Sequence, residues 1–126
     1  MQPPILVFER GGDLAIYRSV QHAAETLEVE HVQAGIYEAY DCRGFSLDLT
    51  IRHAPAERTR LGHRLTVIRP AIALRDRRPP VNDLDYVRRR LIHYINRRRH
   101  PLIEFESLSM DELIRLAGEQ MPWQVY

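Results

Sequence analysis

Phe45, Leu47, Leu49 and Ile51 alternate without a break with Ser46, Asp48, Thr50 and Arg52. A period of two puts the apolar residues on one face of an extended strand and the polar ones on the other. The segment therefore demands a sheet with one face covered and one wet, a condition that antiparallel sheets meet. Two later segments have the helical period needed to cover it. Leu84, Val87, Leu91, Tyr94 and Ile95 make an apolar stripe on a helix predicted to start at Asn82 or Asp83 and to run to about Arg99. Acids in its first turn and arginines in its last suit the helix dipole, and His100-Pro101 ends it. Ser109 and Glu112 form a Ser-x-x-Glu capping box ahead of Leu113, Leu116 and Ala117, with Gly118 predicted to stop that helix.

The rest of the chain reads in the same terms. Two runs rich in strand formers, residues 5–9 and 13–18, flank Gly11-Gly12 and predict a hairpin. Ser19 caps a short helix whose apolar face is Val20, Ala23, Ala24 and Leu27. Residues 36–41 are a further strand, and Arg43-Gly44 a turn. Residues 53–63 are polar, carry Pro55 and Gly62, and read as a loop; residues 64–69 and 71–74 look extended, with Pro70 between them marking an edge strand or a strand end. Residues 75–80 read as a basic, proline-bounded loop, residues 102–105 as a last short strand, and the tail from Met121 to Tyr126 is strongly aromatic. The expected fold is α+β, a single domain over residues 1–126. It has an antiparallel sheet of about five to six strands, with a short early helix and two later helices packed on it.

A hydrophobic fraction of 44% and a charged fraction of 28% over 126 residues are the balance of a globular domain. No apolar run approaches the ~20 residues that span a bilayer, and the N-terminus lacks the basic start and longer apolar stretch of a secretion leader. A cytoplasmic protein without a membrane partner is expected. Cys42 is the only cysteine, so no intrachain disulfide forms.

Chemistry needs particular groups at particular spacings. His22, His31, His53, His63, His93 and His100 are scattered, with no His-x-x-x-His pair, and one cysteine does not make a cysteine-rich zinc site. Cys42 lies at a turn beside Arg43, without an oriented base that sequence can place. Glu104 with Glu106, and Asp111 with Glu112, read as solvated surface and helix first-turn acids. No catalytic residue, metal site or cofactor is expected.

Charge is the strongest signal. Residues 1–51 hold three arginines against eight carboxylates, residues 52–100 fourteen against four, and residues 101–126 one against five, so the thirds carry −5, +10 and −4. There is no lysine; guanidinium forks pair bidentately with carboxylates and phosphates. Two faces of opposite sign are candidates for binding. The acidic one comprises Glu25, Glu28, Glu30, Glu38 and Asp41. The basic one is a ridge of Arg77, Arg78, Arg88, Arg89 and Arg99 on a loop and helix, its helical part about 20 Å long at ~1.5 Å per residue. Three readings compete for the ridge: a solvated face partly neutralised by the acidic ends of this same chain, a grip on nucleic acid phosphates, and a dock for an acidic protein.

Phe8-Glu9-Arg10-Gly11-Gly12-Asp13-Leu14, Tyr17, the helix from Val20 to Leu27, Glu28 to Val32, Gly35-Ile36-Tyr37-Glu38-Ala39-Tyr40-Asp41 and Arg43-Gly44 together resemble small bacterial immunity proteins. Such proteins are encoded beside polymorphic toxins, including those of contact-dependent growth inhibition. The resemblance covers about residues 4–50. It implies a mechanism without catalysis, in which the protein binds one cognate toxin domain and blocks it. A nucleic-acid-binding module using residues 75–99 is the alternative, and a small enzyme built around Cys42, a histidine and an acid the third.

Overall fold

The computed structural model describes residues 1–98 and 107–120, apart from the side chains of Ala54, Ala56, Arg58 and Arg60. Five strands form one antiparallel sheet: β1 (Ile5–Glu9), β2 (Leu14–Tyr17), β3 (Tyr37–Tyr40), β4 (Ser46–Arg60) and β5 (His63–Asp76). Their order across the sheet is β2-β1-β3-β4-β5. The helices are α1 (Val20–Thr26), α2 (Val29–Gln33), α3 (Leu84–Asn96) and α4 (Met110–Gln120). The α+β class and the antiparallel sheet are those expected.

Helices cover both faces of the sheet. Leu6, Phe8, Leu14, Ile16 and Tyr40 pack with Val87, Leu91, Tyr94 and Ile95 of α3 and with Leu113, Ile114, Leu116 and Ala117 of α4. On the opposite face Ile5, Val7, Tyr17, Ala39, Leu47, Ile72 and Leu74 pack with Ala23 and Leu27. β1 lies inside the sheet with both faces covered, so Ile5-Leu6-Val7-Phe8 is apolar without alternation, as a doubly buried strand must be.

Local chemistry sets the element ends. The Ser19 hydroxyl accepts from the His22 N–H at 3.1 Å to cap α1, and the Ser109 hydroxyl accepts from Glu112 N–H at 3.2 Å to cap α4. The Gly11-Gly12 hairpin closes through Glu9 N–H to Asp13 O at 2.8 Å, with Gly12 at φ +95°. Gly118 does not stop α4, which runs on to Gln120; with Leu113, Ile114, Leu116 and Ala117 holding one side of the helix against the core, packing outweighs the roughly 1 kcal/mol that a helical glycine costs. α2, a single turn and a half after α1, was not anticipated, because its apolar residues Val29 and Val32 are too few to show a period.

The largest departure is at residues 53–63. They form no loop: β4 and β5 are one continuous hairpin in register from Leu47↔Asp76 to Arg60↔His63. Leu61 and Gly62 make its turn, both at positive φ, 53° and 79°, the signature of a type I′ connection. The prolines do not interrupt it, for a reason of parity. Arg60 and His63 close a two-residue turn and so exchange ladder bonds, as does every second pair below them; Pro55 and Pro70 fall on the intervening positions, where the backbone N–H would point away from the partner strand. Neither costs a ladder bond. β5 is an edge strand, as Pro70 suggested. The expected strand at residues 102–105 and the aromatic tail from Met121 to Tyr126 lie outside the described residues.

Candidate partner-binding surface

The hairpin outgrows the sheet. β3 pairs with β4 only at Ala39↔Leu47 and Tyr40↔Ser46. The last inward anchors are Ile72 and Leu74, buried under α1 and α2. From Arg52 and Ala71 outward β4 and β5 have only each other, and residues 61–70 are all exposed. About nine residue pairs at ~3.3 Å each make an arm of ~30 Å.

The two sides of this arm differ. Arg52, Arg69 and Arg75 share the side that carries α3 and α4, together with Leu65 and Val67; Arg64 lies on the other side with Pro55 and Ile68. Leu61, Leu65, Val67 and Ile68 are 92%, 50%, 38% and 71% exposed, and they are the exposed large hydrophobics among the described residues. Arg52, Arg64, Arg69 and Arg75 are exposed, and no described carboxylate pairs with any of them. The segment from 52 to 71 contains five arginines and one acid, Glu57.

The basic ridge is only partly assembled. Arg88 and Arg89 are on α3 and Arg78 on the loop before it, without a paired carboxylate among the described residues, and Arg89 Nε donates to the Asp85 carbonyl at 3.4 Å. Arg77 is held by Asp48 at 3.2 Å. Arg99 lies outside the described residues. Arg90 of the same helix and Arg98 just after its end are spent inward. Arg90 lies 4.6 Å over the Phe8 ring and donates to Glu38 at 2.9 Å, and Arg98 lies 3.7 Å over the Tyr94 ring with Asp13 at 3.8 Å.

The acidic candidates divide as well. Glu25, Glu28 and Glu30 are exposed on and beside α1 and α2. Glu38 belongs to the opposite face, where its Oε2 accepts from Tyr86 Oη at 3.0 Å, Arg90 and Tyr40 Oη. Burial, with the Glu38 charge beside it, pushes the Tyr40 phenol well above its ordinary pKa. Asp41 has no exposed surface. Burial alone would raise its pKa, but the N–H groups of Gln2, Phe45 and Arg43 and the Arg43 guanidinium outweigh that and hold the carboxyl below its usual range. It ties the N-terminus to the turn before β4. Sequence alternation placed Glu38 and Asp41 near the other acids along the chain but did not reveal which side of the sheet they would take.

Cys42 is buried in the α3–α4 core, and that burial, reinforced by Asp41 and Asp111, raises its thiol pKa. A thiol so placed is a poor nucleophile. Among the described residues no three or more His, Cys, Asp or Glu side chains converge to hold a metal, and no described helix is long and apolar enough to cross a membrane. Two hollows remain. One of about 420 Å³ opens where β4 peels away from β3, between Tyr37, Glu38, Asp48 and Leu49. The other, about 660 Å³ and largely apolar, runs along β2 and α4 past Pro3, Pro4, Ile16 and Ile114.

Helix periodicity and clustered arginines, the patterns that mark α3 and the ridge, do not mark the arm. The available signal was Leu61-Gly62 between two stretches of equal length, with Thr66-Val67-Ile68 as strand formers. Comparison with protein-family models, with curated proteins and with solved structures returns no match for this chain.

Proposed function

We propose that this chain is a non-catalytic binding protein that neutralises a bacterial toxin domain by holding it. The observation that carries the reading is the β4–β5 arm. A two-stranded ribbon standing alone in water is marginally stable. One that also exposes Leu61, Leu65, Val67 and Ile68 gains most when a partner covers it. The resemblance of residues 4–50 to immunity proteins supplies the class of partner. The groups that a catalytic reading would recruit have structural employment instead: Asp41 fastens a turn, Glu38 gathers two phenols and Arg90, and Cys42 fills core. Specificity in such a protein comes from charge matching around a few buried anchors.

The test is co-expression in a bacterial host with the toxin domain encoded beside this gene. Growth is restored by the full chain, and the two proteins elute together from a sizing column. Failure of both rescue and co-elution overturns the proposal.

A second reading, nucleic-acid binding through residues 75–99, is favoured by the lack of carboxylate partners for Arg78, Arg88 and Arg89 among the described residues. It predicts affinity for duplex or single-stranded nucleic acid that falls steeply with salt, because each phosphate contact releases a counterion. A gel-shift series with no retarded species even at low salt overturns it.

A further inference from the structure

We infer that the β4–β5 arm enters an acidic groove on a protein partner side-on, through the faces of the ribbon and not through its edges. The inference rests on the reading of this chain as a protein-binding inhibitor and adds to it the element that docks, the manner of docking and the chemistry of the receiving surface.

The edges come first, because an unpaired strand edge is the usual route for one chain to join another. The arm has two. β5 is the outermost strand of the sheet, and β4 has no neighbour on its inner side once it leaves β3 after Leu47. The Ser46 N–H points away from β3, donating to Val81 O at 2.9 Å, while the Asp41 N–H reaches Phe45 O at 3.0 Å. Odd-numbered residues of β4 thus turn their peptide groups to the inner, open edge. Pro55 is one of them. On β5 the parity set by Arg60↔His63 turns Pro70 to the outer edge. The inner edge therefore lacks a donor near the middle of the arm and the outer edge lacks one at its base, and a strand laid along the full length of either meets a proline ring where it needs an N–H. Continuous edge pairing is interrupted on both sides of the arm.

The faces are the remaining surface, and their composition names the partner. Arg52 and Arg69 share one face with Leu65 and Val67, with Arg75 on the same side at its base; the other face has Ile68, Pro55, Arg64 and one acid, Glu57; Leu61 is the tip. Arginine interleaved with exposed aliphatic side chains suits the composition of a protein interface. A nucleic acid groove would satisfy the arginines but offer Leu65, Val67 and Ile68 little apolar surface, since such interfaces are polar and wet. A protein groove with an apolar floor and a carboxylate rim satisfies both sets. Size agrees: the segment from 52 to 71 approaches the roughly 20–30 residues that one partner supplies to an interface of standard area.

The experiment titrates the full-length protein against the toxin domain encoded beside it, by calorimetry at low and at high salt. Three variants are used, each altering exposed arm positions and each checked by a thermal melt. Arg52→Glu with Arg69→Glu weakens binding about 100-fold at low salt and flattens the salt dependence. Leu65→Ser weakens it about 10-fold at every salt concentration. Pro55→Val with Pro70→Val, which restores the edge donors and keeps an apolar side chain on the face, changes it by less than about 3-fold. If the toxin is still bound and growth still rescued after charge reversal and after Leu65→Ser, the arm is not the docking element: the inference falls while the neutralising role stands. If the proline variant binds much more tightly, docking is by the edge and the inference falls. If the unaltered protein neither binds nor rescues, the parent reading fails. If a 20-base-pair DNA duplex binds as tightly as the toxin at physiological salt and loses binding with the same arginines, the partner is a polyanion, and the protein groove is refuted.

Discussion

Asp41 is a carboxylate with no exposed surface that ties the N-terminal segment to the turn before β4, so its removal is a sharp test of what stabilises the fold. Its oxygens accept from Gln2 N–H at 3.1 Å, Arg43 N–H at 2.9 Å, Phe45 N–H at 3.0 Å, and the Arg43 Nε and Nη2 at 3.2 and 3.0 Å. Asp41→Ala leaves three backbone donors without an acceptor. A buried donor left unpaired costs about 1–3 kcal/mol. These lie in part-buried positions beside a half-exposed Arg43, so the lower end applies, about 1 kcal/mol each and ~3 kcal/mol in all. Urea denaturation reads this as a lowered midpoint at unchanged slope. The same group predicts an acid limb. Its folded-state pKa lies below the unfolded value of about 3.9. The stability it contributes is therefore complete above that value and lost as pH falls through the lower, folded one. The unaltered protein weakens on acidification below about pH 4, and Asp41→Asn, less stable at neutral pH, weakens less steeply over the same range. A cost below about 1 kcal/mol for Asp41→Ala, or identical acid limbs for the two proteins, refutes the reasoning.

Three further substitutions probe other parts of the fold. Gly44 has φ +88°, and a Cβ there would come 2.6 Å from Leu84 Cα; Gly44→Ala should cost at least about 2 kcal/mol by strain and by displacing the start of α3, read by thermal denaturation. Leu61 is 92% exposed at φ 53°, a conformation asparagine tolerates better; Leu61→Asn should firm the arm by about 0.5–1 kcal/mol and slow amide exchange on β4 and β5 roughly 2–5-fold. Glu38→Ala removes the acceptor of the Tyr40 and Tyr86 hydroxyls while Arg90 keeps its bond to Tyr86 Oη, and at this half-exposed site should cost about 0.5–1 kcal/mol in urea denaturation.

How far the sequence could be read depended on whether a residue's role was local. The alternation at residues 45–51, the caps at Ser19 and Ser109 and the stripe on α3 are local patterns, and each marks the element it predicts. Pro55 and Pro70 mislead for the opposite reason. Proline is harmful or harmless in a strand according to which way its nitrogen faces, and that is set by a register counted back from Leu61-Gly62, not by the proline's neighbours. The exposed acids and the inward ones show the same limit. Glu38 and Glu30 are alike in sequence, but only the first meets Tyr86 and Arg90, which arrive from about fifty positions further along the chain.

That long-range pairing also accounts for the uneven charge along the chain. The acidic first third and the arginine-rich middle are not two independent faces. Asp13, Glu38 and Asp48 from the first third reach Arg98, Arg90 and Arg77 of the middle, so part of the segregation closes on itself once the chain is folded. Of the described arginines left without a described carboxylate, Arg10, Arg18, Arg78, Arg88, Arg89 and Arg97 lie elsewhere, and the other four share one element. Arg52, Arg64, Arg69 and Arg75 all stand on the one hairpin that leaves the sheet. Positive charge held on a ~30 Å projection, where Glu57 is the one acid from residue 52 to 71, makes a longer reach for an opposite charge than the same arginines would on α3, where Glu38 already answers Arg90. Electrostatic attraction of that kind acts on the encounter rate and is screened by salt. Association with an acidic partner should therefore slow with rising ionic strength through the arm's arginines, while substitution of Arg88 and Arg89, on the exposed side of α3, should leave the salt slope nearly unchanged. A stopped-flow series comparing the two sets decides it: equal slopes for both would place the steering charge on the helix and not on the arm.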